Sequence, residues 1–280
     1  MELEQLRHLV AFYEHQTLSH AAKALHTSQP VLTRSMQKLE EELEISLFER
    51  SKNRITLNET GLQAVEYAKR IVSDSENMKK QLKEYDRRLH TFSIGSCAPA
   101  PCTYLSQKAS LFFPNKIISS EMKDMDLLLQ GLKDKAYTVI VMPYDIDDDN
   151  DIESIPFMDE KLYFSLPFDH PFVHRESLSL KDMDGEKMLL MSNIGFWNQI
   201  HQKAMPHTKF LIQQDRSVFY DLIELSSLPS FTSDYSMKTD GIPENRIIIP
   251  IEDEIAQATF YCWYLKENEK SLKSFLYHLT

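Results

Sequence analysis

The sequence predicts a multidomain α/β chain with a helical N-terminal third, and three observations predict it. The net charge is −11, yet Met1–His90 carries 14 basic and 14 acidic residues, so the whole excess of acid lies in the remaining 190, with 17 basic and 28 acidic. Such asymmetry points to parts with different partners. Apolar residues in the first third recur at helical spacing, and Leu62–His90 holds neither proline nor glycine. From Thr91 onward, short β-branched runs alternate with helical segments, which is the pattern of an α/β unit with a parallel sheet. A length of 280 residues with 42% hydrophobic content suits two or three packed cores.

The first helix spans residues 3–14, with Leu3, Leu6, Leu9, Val10 and Tyr13 on one face. Ser19 is expected to cap a second, short helix whose Ala21, Ala22 and Leu25 allow close packing. After His26-Thr27, Ser28 caps a third helix with Pro30 in its first turn, where a missing N–H costs nothing. Leu32, Met36, Leu39 and Leu43 form its apolar stripe, leaving Gln29, Thr33, Arg34 and Gln37 on the other side. Two short helices joined by a turn, the second with a polar outward first turn, describe a helix-turn-helix. The following ERSKNRITL turns at Lys52-Asn53 between extended pieces and reads as a β-hairpin wing carrying Arg50, Lys52 and Arg54.

A long helix follows, with Asn58 or Thr60 as its cap. Ala64, Ala68, Ile71, Ser75, Met78, Leu82, Tyr85 and Leu89 repeat at alternating spacings of four and three, a heptad seam over about four heptads. A lone helix of roughly 40 Å would leave this stripe wet. Packing on its own domain is one solution; pairing with a second copy is the preferred one.

In the remainder, FSIGS reads as a strand, Tyr104–Phe113 as a helix, and Ile117–Met122 as extended. Asp126–Lys133 is helical, and TVIVM at 138–142 is a buried parallel strand. The acidic DIDDDND at 145–151 is a solvated loop; Met188–Met191, Phe210–Gln213 and Ile247–Pro250 are further strand candidates.

The motifs LRHLVAFYE, AAKALHTSQPVLTRSMQKLEEEL, LFER and ITLNETG, in that order over some 60 residues, resemble the winged helix-turn-helix of LysR-type transcriptional regulators. That family usually has serine where Thr33 stands, and glycine where Glu44 stands to ease a left-handed helix end. The resemblance implies DNA contact through Ser28, Gln29, Pro30, Thr33, Arg34 and Gln37, with Arg50, Lys52 and Arg54 from the wing. The physical account agrees. A helix N-terminus suits a phosphate, glutamine can pair with an adenine edge, and arginine can reach guanine or phosphate. The acids Glu40, Glu41 and Glu42 sit at the far end of that helix.

Beyond His90 the chain more loosely resembles the family's effector domain, which has a two-lobe periplasmic-binding-protein-like fold. The implied organisation is a winged helix-turn-helix over 1–58, a dimerisation helix over 59–90 and an effector-binding domain over 91–280. Lobe one would take 91–161 plus 262–280, and lobe two 162–261. Matching the family places a small effector against Ser96, Cys97, Ala98, Pro99 and Met125 on one side. Ser192, Asn193, Phe196, Trp197, Phe231 and Thr232 would face it from the other. The two aromatic residues at 196 and 197 hint at an apolar or aromatic effector. Ala64, Ala68, Ile71, Met78, Leu82, Tyr85 and Leu89 would pair with a second copy, giving a homodimer or homotetramer. The partners so implied are double-stranded DNA, a small molecule, the chain itself and RNA polymerase.

Other chemistry lacks a footing. The six glycines build no GxGxxG or P-loop, and there is neither HExxH nor CxxC. No catalytic set, metal site or cofactor is expected. His20, His26, His170 and His174 read as surface residues. Cys97 and Cys102 could form a redox pair, although family precedent places such cysteines in the other lobe. Three cysteines suit a reducing compartment, MELEQLRHLV lacks a signal-peptide pattern, and no run approaches roughly 18 apolar residues, so a cytoplasmic protein without a membrane partner is expected.

Overall fold

The computed structural model describes residues 1–51, 54–147 and 149–279, so Lys52 and Asn53 of the expected wing turn and Asp148 of the acidic run lie outside the described residues. Two units follow one another along the chain, Met1–Arg87 and Arg88–Thr280.

The first unit opens with α1 (Leu3–His15), which buries Leu6, Leu9 and Phe12 and stops at Gln16 in the left-handed region (φ 61°). In α2 (Leu18–Ala24) the capping residue is Thr17 rather than Ser19, with its hydroxyl accepting from His20 N–H at 3.2 Å. The helix begins two residues earlier than expected because Leu18 packs against the two small cores on either side of it. In α3 (Gln29–Leu43), Leu32, Met36 and Leu39 are buried at 0–1% exposure. Leu43, the fourth member of the expected stripe, is 37% exposed. Ser28 holds the N-cap position without a side-chain bond, and Glu44 ends the helix at φ 57°. Strands β1 (Phe48–Ser51) and β2 (Arg54–Leu57) pair antiparallel.

Glu40 is not merely part of an outlying acidic end. Its carboxylate accepts from Leu47 N–H at 2.7 Å and Phe48 N–H at 3.1 Å, and from the Arg50 guanidinium at 2.8 Å. One side chain thereby ties the end of α3 to the first strand of the wing. The long α4 (Glu59–His90) is capped by Asn58, which accepts from Gly61 N–H at 2.7 Å. Gly61 has to be glycine, since a Cβ there would run into the Leu47 carbonyl.

The second unit alternates as expected at first: β3 (Thr91–Ser96), α5 (Pro99–Phe112), β4 (Ile117–Met122), α6 (Met125–Lys133) and β5 (Val139–Met142). The α5 helix starts five residues before the expected Tyr104, because Pro99 and Pro101 sit in its first turn, where no N–H is needed. Then come β6 (Ile152–Pro167), β7 (Lys187–Met191), α7 (Asn198–Ala204), β8 (Lys209–Gln213), α8 (Arg216–Leu225) and β9 (Ser230–Ser233). After them lie α9 (Asp234–Asp240), β10 (Arg246–Pro250), β11 (Gln257–Leu265) and α10 (Glu269–Tyr277).

The strand order is β4-β3-β5-β11-β6-β9-β7-β8, with β10 also on β6. The sheet is mixed rather than parallel. Pairs β3–β4, β3–β5, β7–β8 and β7–β9 are parallel, while β11 and β6 run antiparallel to every neighbour. Of these two long strands, β6 is shared between the lobes. β6 changes partner between Lys161, opposite Gln257, and Leu162, opposite Ser233. β11 joins the first lobe's ladder from Gln257, so residue 262 falls in its interior. One core, including Phe92, Leu128, Phe164, Met188 and Phe260, extends through both lobes. Each such side chain contributes roughly 1.5–3 kcal/mol by leaving water. Among the described residues no helix is long and apolar enough to cross a membrane.

Candidate functional sites

The first candidate is the outer face of α3 with the wing. Burial of Leu32, Met36 and Leu39 turns the opposite side outward, and Ser28, Gln29, Pro30, Arg34 and Gln37 are exposed. Thr33 is half-buried, and its hydroxyl donates to the Gln29 carbonyl at 2.9 Å. Gln29 is positioned from the preceding helix, where Ser19 Oγ donates to its Oε1 at 2.8 Å. Arg50 is about half exposed but bound to Glu40, so its charge is partly spent within the unit. Lys52 lies outside the described residues, and for Arg54 only the backbone, in β2, is described. The arrangement can present free backbone N–H groups, hydrogen-bonding side chains and cations to a phosphate-lined groove.

The second candidate is the α4 seam. Ala68 is buried and Ala64 partly buried in the unit's own core, so the start of the seam is packed within the chain. Ile71, Met78, Leu82, Tyr85 and Leu89 are exposed at 42–60%. The seam leads into an apolar groove of about 320 Å³ between α1, the end of α3 and α4, lined by Leu6, Leu43, Ile45, Ala64 and Ile71 among others.

The third candidate is a cavity of about 560 Å³ in the second unit. It opens where β7 and β9, paired only at Leu189 and Ser230, diverge beyond that contact, and α5 borders it from the other lobe. Strand ends of this kind are the usual place for ligands in α/β folds. Of the expected effector residues, Pro99, Ser192, Asn193, Trp197, Phe231 and Thr232 line it. Ser96, Cys97, Ala98, Met125 and Phe196 do not line it. Ser96 is fully buried, with its hydroxyl on the Ala98 carbonyl at 2.7 Å. Cys97 and Ala98 are buried too, and the Cys97 carbonyl accepts from Phe196 N–H at 2.7 Å. That bond joins the two lobes at the loop after β3. Gly195 permits it: its φ is 57°, and a Cβ there would overlap the Cys97 carbonyl. Phe196 instead stacks edge-on against Trp197 and Phe260, and Met125 packs on the core from the start of α6.

Sequence reasoning missed Glu160, Arg216, Tyr220, Ser230, Tyr235 and Asp240, all of which line the cavity. No local signal marked Glu160, which lies in β6 between the charged Asp159 and Lys161. Its carboxylate is 4% exposed and accepts from Trp197 Nε1 at 3.1 Å. Burial raises its pKa to about 6, against the hydrogen bonds from Ser233 and Trp197. At the rim, Arg216 donates to Asp240 at 2.5 Å, and Tyr220 donates to the same oxygen at 2.7 Å.

The cysteines lack thiolate character. Burial pushes the Cys97 thiol up to about 12 and raises Cys102 and Cys262 as well, so the suggested Cys97–Cys102 redox pair finds no activated sulfur. His170, expected at the surface, is buried, and burial lowers its pKa. Among the described residues no cluster suited to a metal is found.

Residues 3–62 match the family model described as bacterial regulatory helix-turn-helix protein, lysR family. A hydrogen peroxide-inducible genes activator of Dickeya chrysanthemi is 27% identical over 198 residues, 69% of this chain and 64% of that protein. The match thus spans less than two thirds of that relative. A full-length OxyR variant from Pseudomonas aeruginosa aligns over 100% of both chains at 19% identity, with a TM-score of 0.51. A full-length BenM variant aligns over 100% of this chain and 94% of its own at 24% identity, with a TM-score of 0.52. These two share the fold: an N-terminal helix-turn-helix followed by an α/β domain.

Proposed function

Since residues 3–62 form a helix-turn-helix of the lysR family on a chain with the fold of full-length LysR-type regulators, we propose that this protein is a sequence-specific DNA-binding transcriptional regulator. Its DNA binding or activation responds to a small molecule held in the cavity of its second unit. The observation that carries the reading is the outward first turn of α3, with Ser28, Gln29 and Pro30 exposed while Leu32 and Met36 anchor the helix beneath them. In this reading Gln29 and Arg34 meet base edges, and Ser28, Thr33 and Gln37 meet phosphate or base. Arg50, Lys52 and Arg54 follow the neighbouring backbone or minor groove.

Two copies act together, with Ile71, Met78, Leu82, Tyr85 and Leu89 buried between paired α4 helices and the apolar groove beside Ile71 extending the contact. The two helix-turn-helix units then dock in successive major grooves of an inverted repeat. A ligand that prefers one lobe arrangement shifts their spacing, and its affinity is coupled reciprocally to that for DNA. Such a regulator works in the cytoplasm and addresses RNA polymerase at its promoters. Peroxide sensing, printed in the name of the Dickeya relative, is not carried over, because the three thiols here are held protonated by burial.

Selection of bound duplexes from a random pool at near-physiological salt tests the reading. Enrichment of an inverted repeat with half-sites about one helical turn apart is expected. Binding without enrichment, lost steeply as salt rises, would leave only backbone contact and defeat it.

A further inference from the structure

The cavity of the second unit holds a charge with no counter-charge. The Glu160 carboxylate is buried, and the two groups that hydrogen-bond it, Trp197 Nε1 and the Ser233 hydroxyl, are neutral. The further charge acting on it is that of Asp234, another acid. Among the described lining residues Arg216 is the one base, and Asp240 already holds it. Two more polar atoms at this wall are unspent: Ser230 Oγ and Tyr235 Oη are buried without a hydrogen-bond partner among the described residues. Much of the remaining wall is apolar, with Leu162, Leu189, Phe219 and Ile223.

Buried charges in proteins are normally paired, and buried hydroxyls are normally bonded. Here the unpaired carboxylate and the unbonded hydroxyls belong to residues that line one space, of a size typical for small-molecule pockets. The missing partner of a buried carboxylate is a cation. We infer that the effector of this cavity is a small molecule with an ammonium or amidinium group on a largely apolar body, the cation seated on Glu160. The inference rests on reading the cavity as the effector site. Tyr235 and Ser230 supply hydroxyls for a second, uncharged polar group of the ligand. A carboxylate effector of the same body is disfavoured, because it would add a negative charge beside Glu160. The raised pKa fits an ionised group lacking its counter-ion, and a bound cation would lower it.

The test compares ligands that differ in charge alone. The full-length protein is titrated calorimetrically with 2-phenylethylamine, 2-phenylethanol and phenylacetate, and with hexylamine, hexanol and hexanoate. The same series is run on Glu160→Gln. The amines should bind at least about tenfold more tightly than their matched acids, and the preference should vanish in the variant. The wild-type comparison decides the charge even if the variant fails to fold. An acid or alcohol that binds as well as its amine overturns the inference and leaves the cavity as a ligand site. Amine binding untouched by Glu160→Gln in a folded variant overturns the role of Glu160. No binding by any of the six at millimolar concentration removes the cavity as the effector site, and the inference with it, while the DNA-binding reading stands on the duplex selection.

Discussion

Ser19 Oγ donates to Gln29 Oε1 at 2.8 Å, so the first turn of α2 fixes the amide that leads the next helix. A glutamine reads adenine only when its oxygen and nitrogen are both aimed. Replacing Gln29 with alanine should remove about 1–3 kcal/mol of discrimination at one base pair of the half-site. Ser19→Ala should remove less, about 1 kcal/mol, since it loosens the amide without deleting it. Competition binding against single-base variants of the selected site measures both. Unchanged discrimination in Gln29→Ala would falsify the recognition role. Arg54→Ala should weaken binding evenly across those sequences.

The exposed part of the α4 seam predicts where self-association fails. Leu82 is 60% exposed, so Leu82→Lys should leave the chain folded. It should raise the dimer dissociation constant at least about a hundredfold, since each dimer carries the change twice and each leucine contributes about 1.5–3 kcal/mol on burial. Sedimentation velocity across concentrations reads the outcome. A dimer of unchanged affinity would move the interface elsewhere.

Glu44 occupies a left-handed position at φ 57°, at the opposite end of α3 from the exposed first turn. Left-handed backbone costs an L-residue about 1–2 kcal/mol, part of which glycine returns as lost chain entropy. Glu44→Gly should therefore stabilise the first unit by about 0.5–1 kcal/mol, seen as a higher urea midpoint, with DNA affinity unchanged. A lower midpoint would show that the side chain contributes something the backbone argument omits.

Arg246 is buried at 4% exposure, and its guanidinium donates to the carbonyls of Ile223, Ser226 and Leu228 at and beyond the end of α8. Arg246→Met keeps the volume and orphans the carbonyls. We expect a loss of about 2–4 kcal/mol in urea unfolding. A loss within the error of the wild type would mean that water replaces the guanidinium freely.

Glu160 predicts a pH dependence. Its carboxyl pKa rises from 4.5 in the unfolded chain to about 6 in the fold. The folded state thus favours the neutral form. That contribution is complete below the unfolded value and is lost as pH rises through the folded one. Relative to Glu160→Gln, the wild type should lose about 2 kcal/mol of stability between pH of roughly 4 and 7.5. Parallel unfolding curves for the two proteins over that range would disprove the shift.

Much of the fold was legible because its signals are local. Pro30 behind Ser28, the stripe of Leu32, Met36 and Leu39, and the Pro- and Gly-free run to His90 each act over one or two turns. Where two local solutions competed, the choice fell to packing. Thr17 caps α2 in place of Ser19 because Leu18 is drawn into the core, and Pro99 opens a helix that could equally have stayed a loop. The antiparallel courses of β6 and β11 were illegible, since partner and direction are set by strands about a hundred residues apart. The cavity was half legible. Trp197 and Phe231 stood out by size, whereas Glu160 matters because the fold buries it without a counter-charge, and Ser230 because its hydroxyl is buried without a hydrogen-bond partner among the described residues.

The link between the Cys97 carbonyl and the Phe196 amide belongs to the main chain, and that gives it a particular inheritance. Side chains around the cavity can be exchanged one by one while the clasp between the lobes persists, because nothing in it is encoded by a side chain except the hydrogen at Gly195. Ligand preference is therefore free to drift under selection without the lobes losing their register. A single mutation at Gly195 is the step that would end that freedom.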